Sequence, residues 1–320
     1  MSNQLITTKA NNLDETTISL EQQYWNWWQE LSSKEIYENL KRDILLNFKF
    51  DDENISSKEI SAIFSETYLK LRYYIPDITP VSHLINLTRL DFIRAEIADT
   101  DITPLLNLVN LTHLRIWHGD ITDVTQLSHF IKLTTLSLVN NNISDITPLS
   151  YLINLTCLNL WENNITDITP LSHLIKLTNL DLSQNKITDI TPLSHLVNLT
   201  KLEVWTNKIT DITSLSHLTK LTKLDLLYNK ITDVSPVSYL INLTFLDLGN
   251  NNATDINPLS RLINLTFLGL SGNNITDINP LSPLVNLTDL RLYKNNISNI
   301  TSLSNLINLT DLCLSKNNIT

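Results

Sequence analysis

Ten aspartates recur at near-constant spacing: Asp77, Asp101, Asp123, Asp145, Asp167, Asp189, Asp211, Asp233, Asp255 and Asp277. Stacked carboxylates are the donor type that calcium takes. Five histidines hold a second repeated place: His83, His129, His173, His195 and His217. The last three would stack ~5 Å apart, a spacing open to zinc or to a pH response. Ser-His-Leu also recurs, so serine and histidine stand side by side along much of the chain. Each of these chemistries lacks a second requirement. The glycine-rich nonapeptide of calcium-binding solenoids is missing. No cysteine or further carboxylate joins the histidines at a ligand spacing. No nucleophile elbow or zinc-protease helix frames the serines. Each aspartate does sit where it can accept a backbone hydrogen bond from the turn that follows it. Structural capping, surface histidines, no catalytic residue, no metal and no cofactor are the expectation.

Such repetition needs elements that present it. Formal net charge is −10, and hydrophobic residues make up 42% of the 320, which is the balance of a folded chain. Only four glycines occur, too few for a phosphate-cradling loop. Cys157 and Cys313 lie seven repeats apart, about 35 Å at ~4.8 Å per strand, so they cannot bond to each other. The first twenty residues lack a basic start followed by an apolar core, and no apolar run approaches ~20 residues. A cytoplasmic protein without a membrane span is expected, although signal-independent secretion would leave no such mark.

The period is 22. Leucine opens a unit at Leu111, Leu133, Leu155, Leu177, Leu199, Leu221, Leu243, Leu265, Leu287 and Leu309. A unit from Leu87 is two residues longer, near Ala98 and Asp99, and a degenerate unit spans Ser65 to Asn86. Counting from the opening leucine, apolar residues fall at positions 1, 4, 6, 11, 14, 17 and 20. Leu158 and Leu160 alternate as a strand does. In Ile-Thr-Pro-Leu, Thr169 suits an N-cap and Pro170 the first helical position, and the space left predicts one 3₁₀ turn. A lone coil would leave both flat faces wet, so only stacked neighbours complete a core. Position 9 is asparagine from Asn141 to Asn317, a side chain able to serve backbone groups where the chain turns inward. Ala95 and Gly119 break that row.

The stretch LTNLDLSQNKITDITPLSHL resembles the leucine-rich repeat, in its 22-residue bacterial internalin-like or SDS22-like class. The resemblance covers residues 65–320. It implies an α/β solenoid: a leucine-rich repeat horseshoe with a parallel concave β-sheet, short 3₁₀ convex segments and an N-terminal helical cap. It also implies protein binding by that sheet. Secreted internalins carry a signal peptide, an immunoglobulin-like domain and a wall anchor, none of which is read here, so host-cell invasion is not carried over.

Three regions are expected: a disordered start at 1–18, a helical cap at 19–64, and the solenoid at 65–320 with an incomplete last repeat. Ser19-x-x-Gln22, Ser32-x-x-Glu35 and Ser56-x-x-Glu59 read as capping boxes opening three helices. Apolar residues follow at helical spacing: Tyr24, Trp27, Trp28 and Leu31, then Ile36, Leu40, Ile44 and Phe48, then Ile60, Phe64 and Leu71. A cap over the first strand edge explains them, and a docking element built on the tryptophans is the rival reading. At the other end an open strand edge predicts self-association.

Positions 3, 5, 7 and 8 project from the concave sheet and are free to vary. Position 7 places Trp117, Trp161 and Trp205 on alternate strands, ~10 Å apart. Tyr228, Phe245, Phe267 and Tyr293 extend the aromatic character. Arg89, Arg94 and Arg115, with His113 and His118 beside them, make one end basic, while Glu162, Asp181, Glu203, Asp225 and Asp247 make the middle acidic, softened by Lys201 and Lys223. An unbroken basic track for nucleic acid is absent. The expected function is a non-enzymatic scaffold binding an unknown protein or peptide through these residues. A regulatory subunit holding a phosphatase or other enzyme, or a self-associating structural solenoid, are the alternatives.

Overall fold

The computed structural model describes residues 18–51, 55–94 and 101–319. Residues 1–17, which carry most of the expected disordered start, lie outside them, as do Ala95 and the insertion at Ala98 and Asp99. Within the described residues, strands β1 (Tyr68–Leu71) to β12 (Asp311–Cys313) form one parallel sheet in strict chain order. Position 4 pairs with position 4 throughout: Leu136, Leu158, Leu180, Leu202 and Leu224 face one another in register. The two-residue insertion leaves this undisturbed, because Leu90 in β2 (Arg89–Ile93) still faces Leu114 in β3 (His113–Trp117).

Each strand returns through a 3₁₀ turn such as Thr169–Leu171 or Thr191–His195. One correction concerns its start. Thr169 is already inside the turn, and its N–H donates to Asp167 Oδ1 at 2.8 Å. The cap is therefore the aspartate two residues earlier, and the same bond recurs at each of the ten aspartates and at Asn299. The hydroxyl of the Thr or Ser two residues on, and then this backbone bond, hold the exposed carboxyls of Asp101, Asp123, Asp145, Asp167, Asp211 and Asp233 below their usual range.

The asparagine row is more than a local turn device. Asn207 Nδ2 donates to Leu182 O at 3.0 Å and to Val204 O at 3.1 Å, while its Oδ1 accepts from Ile187 N–H at 3.0 Å. Two of these partners belong to the preceding unit. Each asparagine is thus a staple between consecutive coils, buried from Asn141 to Asn295 and half-buried at Asn317.

Position 8 carries a constraint that residue types hide. Arg94, His118, Asn140, Glu162, Gln184, Thr206, Tyr228, Asn250, Lys294 and Lys316 all have φ between 49° and 59°, and Gly272 has φ 68°. The chain must bend there to leave the strand, and only Gly272 does so without a Cβ penalty. Thr206 is the costliest choice, being β-branched. Thr206→Gly is expected to raise stability by about 1 kcal/mol in urea denaturation. An unchanged midpoint would show the bend to be unstrained.

At the N-terminal end stand α1 (Leu20–Ser33), α2 (Glu38–Phe48) and α3 (Ser57–Ser65). The Ser56–Glu59 capping box forms completely, and Ser19 accepts from Gln22 N–H at 3.2 Å. The Ser32–Glu35 box does not form. α1 runs on to Ser33, Lys34 is extended, and a 3₁₀ turn at Glu35–Tyr37 leads into α2. That turn buries Tyr37, whose hydroxyl donates to Asp77 Oδ2 at 2.7 Å, and leaves Ile36 46% exposed. Leu71 is likewise not helical: it alternates with Leu69 in β1, and both face the core.

α2 closes the outer edge of β1 with side chains. Asn47 Nδ2 donates to Lys70 O at 2.6 Å and its Oδ1 accepts from Lys70 N–H at 3.2 Å, as a neighbouring strand would. Asp43 Oδ2 accepts from Arg72 N–H at 2.5 Å and Tyr73 N–H at 3.2 Å. Trp27 and Trp28 are buried in the same continuous core as the leucines, and Trp27 Nε1 donates to Pro80 O at 3.0 Å. The N-terminal tryptophans seal an end, as the cap reading requires.

Candidate functional site

The singled-out residues of positions 3, 5 and 7 lie on the face of the sheet opposite the buried leucines, while Arg94 and Tyr228 stand in the left-handed bends that leave their strands. Trp117, Trp161 and Trp205 are half-buried on it and absent from the core. Trp161 and Trp205 lean together over the small Ser183, their rings 6.0 Å apart at 49°. Trp161 Nε1 donates to Gln184 Oε1 at 3.0 Å, and Trp117 Nε1 to Ser137 Oγ at 2.7 Å. The large–small–large order at position 7 therefore produces one broad indole patch, with Trp117 beyond the buried Val139.

Toward the C-terminal end lies a second aromatic group. Phe245 and Phe267 stack at 4.3 Å and 6°. Lys223 Nζ lies 4.9 Å from the Phe245 ring and the Arg291 guanidinium 4.8 Å from the Phe267 ring, so two cations bracket the pair. Tyr293 lies under Lys316 Nζ at 5.1 Å. Tyr228 stands apart, 54% exposed.

Between the two groups runs the acidic row of position 5. Asp181, Glu203, Asp225 and Asp247 stand on neighbouring strands in register. Three of them also have structural work. Their Oδ1 atoms accept from Ser183 N–H at 3.0 Å, Leu227 N–H at 3.1 Å and Gly249 N–H at 2.8 Å, where the ladder of strand bonds lapses. Asn159 serves Trp161 N–H in the same way at 2.9 Å. Burial raises the carboxyls of Asp181 and Asp247. It pushes Asp225 up to about 6, aided by its neighbours Asp247 and Glu203. Glu203 goes the other way. Burial raises it, but Lys201 Nζ at 2.9 Å and Lys223 Nζ at 2.6 Å outweigh that and hold it below its usual value.

The basic end is built around an acid that the sequence reading passed over. Asp91 is buried at position 5. Arg89 Nη2 lies 2.8 Å from it and Arg115 Nη1 3.9 Å, and the Tyr68 hydroxyl donates to it at 3.2 Å. The same index that marked Asp225 would have found it. Beside this cluster, Lys70, Arg72, Arg94 and His118 rim a hollow of ≈ 580 Å³ whose walls include Trp117, Val139 and Trp161. Lys70 and Arg72 belong to or adjoin β1 in the degenerate unit, where repeat indexing is weakest. The whole face offers flat rings, segregated charge and a fixed backbone, an arrangement suited to holding an extended chain.

The repeat is matched by the family model described as Leucine Rich repeats (2 copies), over residues 131–173, 175–217, 219–261 and 263–305. The solved structure of an internalin, InlF, from Listeria monocytogenes is 34% identical, with 88% of this chain and 90% of that one covered at a TM-score of 0.76. Internalin C2 of the same species is 29% identical over 73% of this chain and 93% of that one, at 0.55. A leucine-rich repeat protein of Leptospira interrogans is 25% identical over 89% and 77%, at 0.76. A comparison with curated proteins returns no match. Repeat, register and relatives agree: the chain belongs to the leucine-rich repeat proteins and is related to the Listeria internalins.

Proposed function

We propose that the chain is a non-enzymatic scaffold that binds a protein or peptide partner along its concave sheet. The observation that carries this is the Trp161–Trp205 patch, half-exposed on a rigid surface whose backbone bonds are already satisfied. Charge orders the partner. A basic centre would lie over Asp181–Asp247, and an acidic end would reach the hollow rimmed by Lys70, Arg72 and Arg94. Trp117, Phe245 and Phe267 would take apolar anchors on either side.

The Trp161→Ala/Trp205→Ala variant tests this against a convex control, His173→Ala/His195→Ala. Binding to a partner captured by the wild-type chain is expected to weaken at least about tenfold in the tryptophan variant and not in the control. Thermal unfolding should shift little in either. Equal loss of binding and stability would mark the rings as structural, and unchanged binding would place the partner elsewhere.

A further inference from the structure

Position 21 of the repeat is exposed and aliphatic in ten of eleven units, from Ile85 to Ile307, with Thr219 the exception. These residues are 44–84% exposed. They follow the buried position-20 residues, Phe130 and otherwise leucine, and point the other way. Single exposed aliphatics are ordinary, but a continuous row one strand-spacing apart marks an interaction surface. The row is also held firmly. Asn154 Nδ2 donates to Ile131 O at 2.9 Å, and Lys176 Nζ donates to Asn154 Oδ1 at 2.7 Å, a pattern repeated by Asn198 on Ile175 and Lys220 on Asn198.

Its surroundings are electrostatically one-sided. From position 18 through position 2 of the next unit, no aspartate or glutamate occurs in any of the eleven units, although the chain has 33 acidic residues against 23 basic. The charged residues there are Lys132, Lys176, Lys220 and Arg261, with the exposed rings of Tyr151 and Tyr239 close by. The capping aspartates of position 13 lie where the chain crosses from sheet to convex turn, the opposite flank. Position 21 lies where it crosses back. Equivalent residues on a horseshoe's flank share a plane, whereas its inner and outer walls curve.

A two-fold pairing of this ridge with a second copy would set Lys176 and Lys220 against each other with no carboxylate on either side. An anionic bilayer complements both features, accepting aliphatic side chains at its interface and lysines at its headgroups. We propose that this flank is a peripheral docking surface for an anionic lipid bilayer. Among the described residues no helix is long and apolar enough to cross a membrane, so attachment is by surface contact. The concave face would remain open to its partner.

Sedimentation of the full chain with vesicles of phosphatidylcholine, alone or with about 30% phosphatidylserine, tests this. Binding to the anionic vesicles is expected to be at least ~10-fold tighter and to weaken with salt. Ile153→Asp/Ile175→Asp/Val197→Asp and, separately, Lys132→Glu/Lys176→Glu/Lys220→Glu should each lose at least ~10-fold, with circular dichroism confirming the fold. The Trp161→Ala/Trp205→Ala variant should bind vesicles as the wild type does, because it alters another face. Folded wild-type chain left in the supernatant, or ridge variants that sediment like wild type, would overturn the proposal. So would a lipid-free dimer dissolved by the same aspartates, which would assign the ridge to a second copy.

Discussion

Asn207→Leu is expected to lower folding stability by about 2–4 kcal/mol, measured by urea denaturation. Leucine fits the volume and restores apolar burial. It cannot replace the three bonds that Asn207 makes to Leu182 O, Val204 O and Ile187 N–H. Ile187 N–H, held away from water, is left without its acceptor at a cost of about 1–3 kcal/mol, whereas Leu182 O and Val204 O each keep a second asparagine donor, Asn185 Nδ2 and Asn229 Nδ2 at 3.0 Å. Lys208→Ala, at the exposed next position, should change stability by less than about 0.5 kcal/mol. Because coils contact only their neighbours, the lesion should also loosen cooperativity and lower the denaturant slope. A midpoint within about 1 kcal/mol of wild type would show that water or relaxed backbone replaces the staple.

Mild acid should stabilise this protein, and stronger acid should not. Asp43, Asp181, Asp225 and Asp247 all have carboxyls raised by burial. A group raised in the folded state binds its proton more tightly there. Its contribution is fully present below the unfolded value and is lost as pH rises through the folded one. For Asp225, with a folded value of about 6, the window runs from pH ~6 down to ~4. The gain from that residue is on the order of 2 kcal/mol. The capping aspartates act in the opposite sense. Their lowered values contribute stability above pH ~4 that is lost as pH falls further. The thermal midpoint should therefore rise from pH 7 to about 5 and fall below about 4. Asp225→Asn keeps an acceptor for Leu227 N–H without the charge. It should be more stable than wild type at pH 7 and indistinguishable at pH 4. A midpoint that falls steadily from pH 7 would contradict the assigned burial effects.

The stacked architecture was legible because stacking imposes it. Leu158 and Leu160 repeat every 22 residues since each must meet its counterparts above and below, and the aspartates and asparagines repeat with the backbone geometry they satisfy. Position 8 was opaque for the complementary reason. Its left-handed bend is imposed by the fold, yet among its residues only Gly272, Asn140 and Asn250 are of types that favour such a bend. The helices misled where a long-range contact decided the outcome. The Ser32 box yields to the Tyr37–Asp77 bond across 40 residues, which no local pattern reveals. Asn47 and Asp43 looked like ordinary helix residues until β1 lay beside them. On the concave face, residue type located the tryptophans. Which rings meet depended on Ser183 between them, and the basic end hid Asp91 among its arginines.

The backward reach of the asparagine staples has a mechanical corollary. Since each coil is fastened by the coil that follows it, a coil loses its staple only once its successor has peeled away, so tension applied from the C-terminal side would strip one turn at a time. Every rupture would release 22 residues, roughly 75 Å of slack at ~3.4 Å each. Pulled the other way, the force meets the Asn47 and Asp43 clasp first. The molecule should accordingly behave as a ratchet with a preferred direction of yielding.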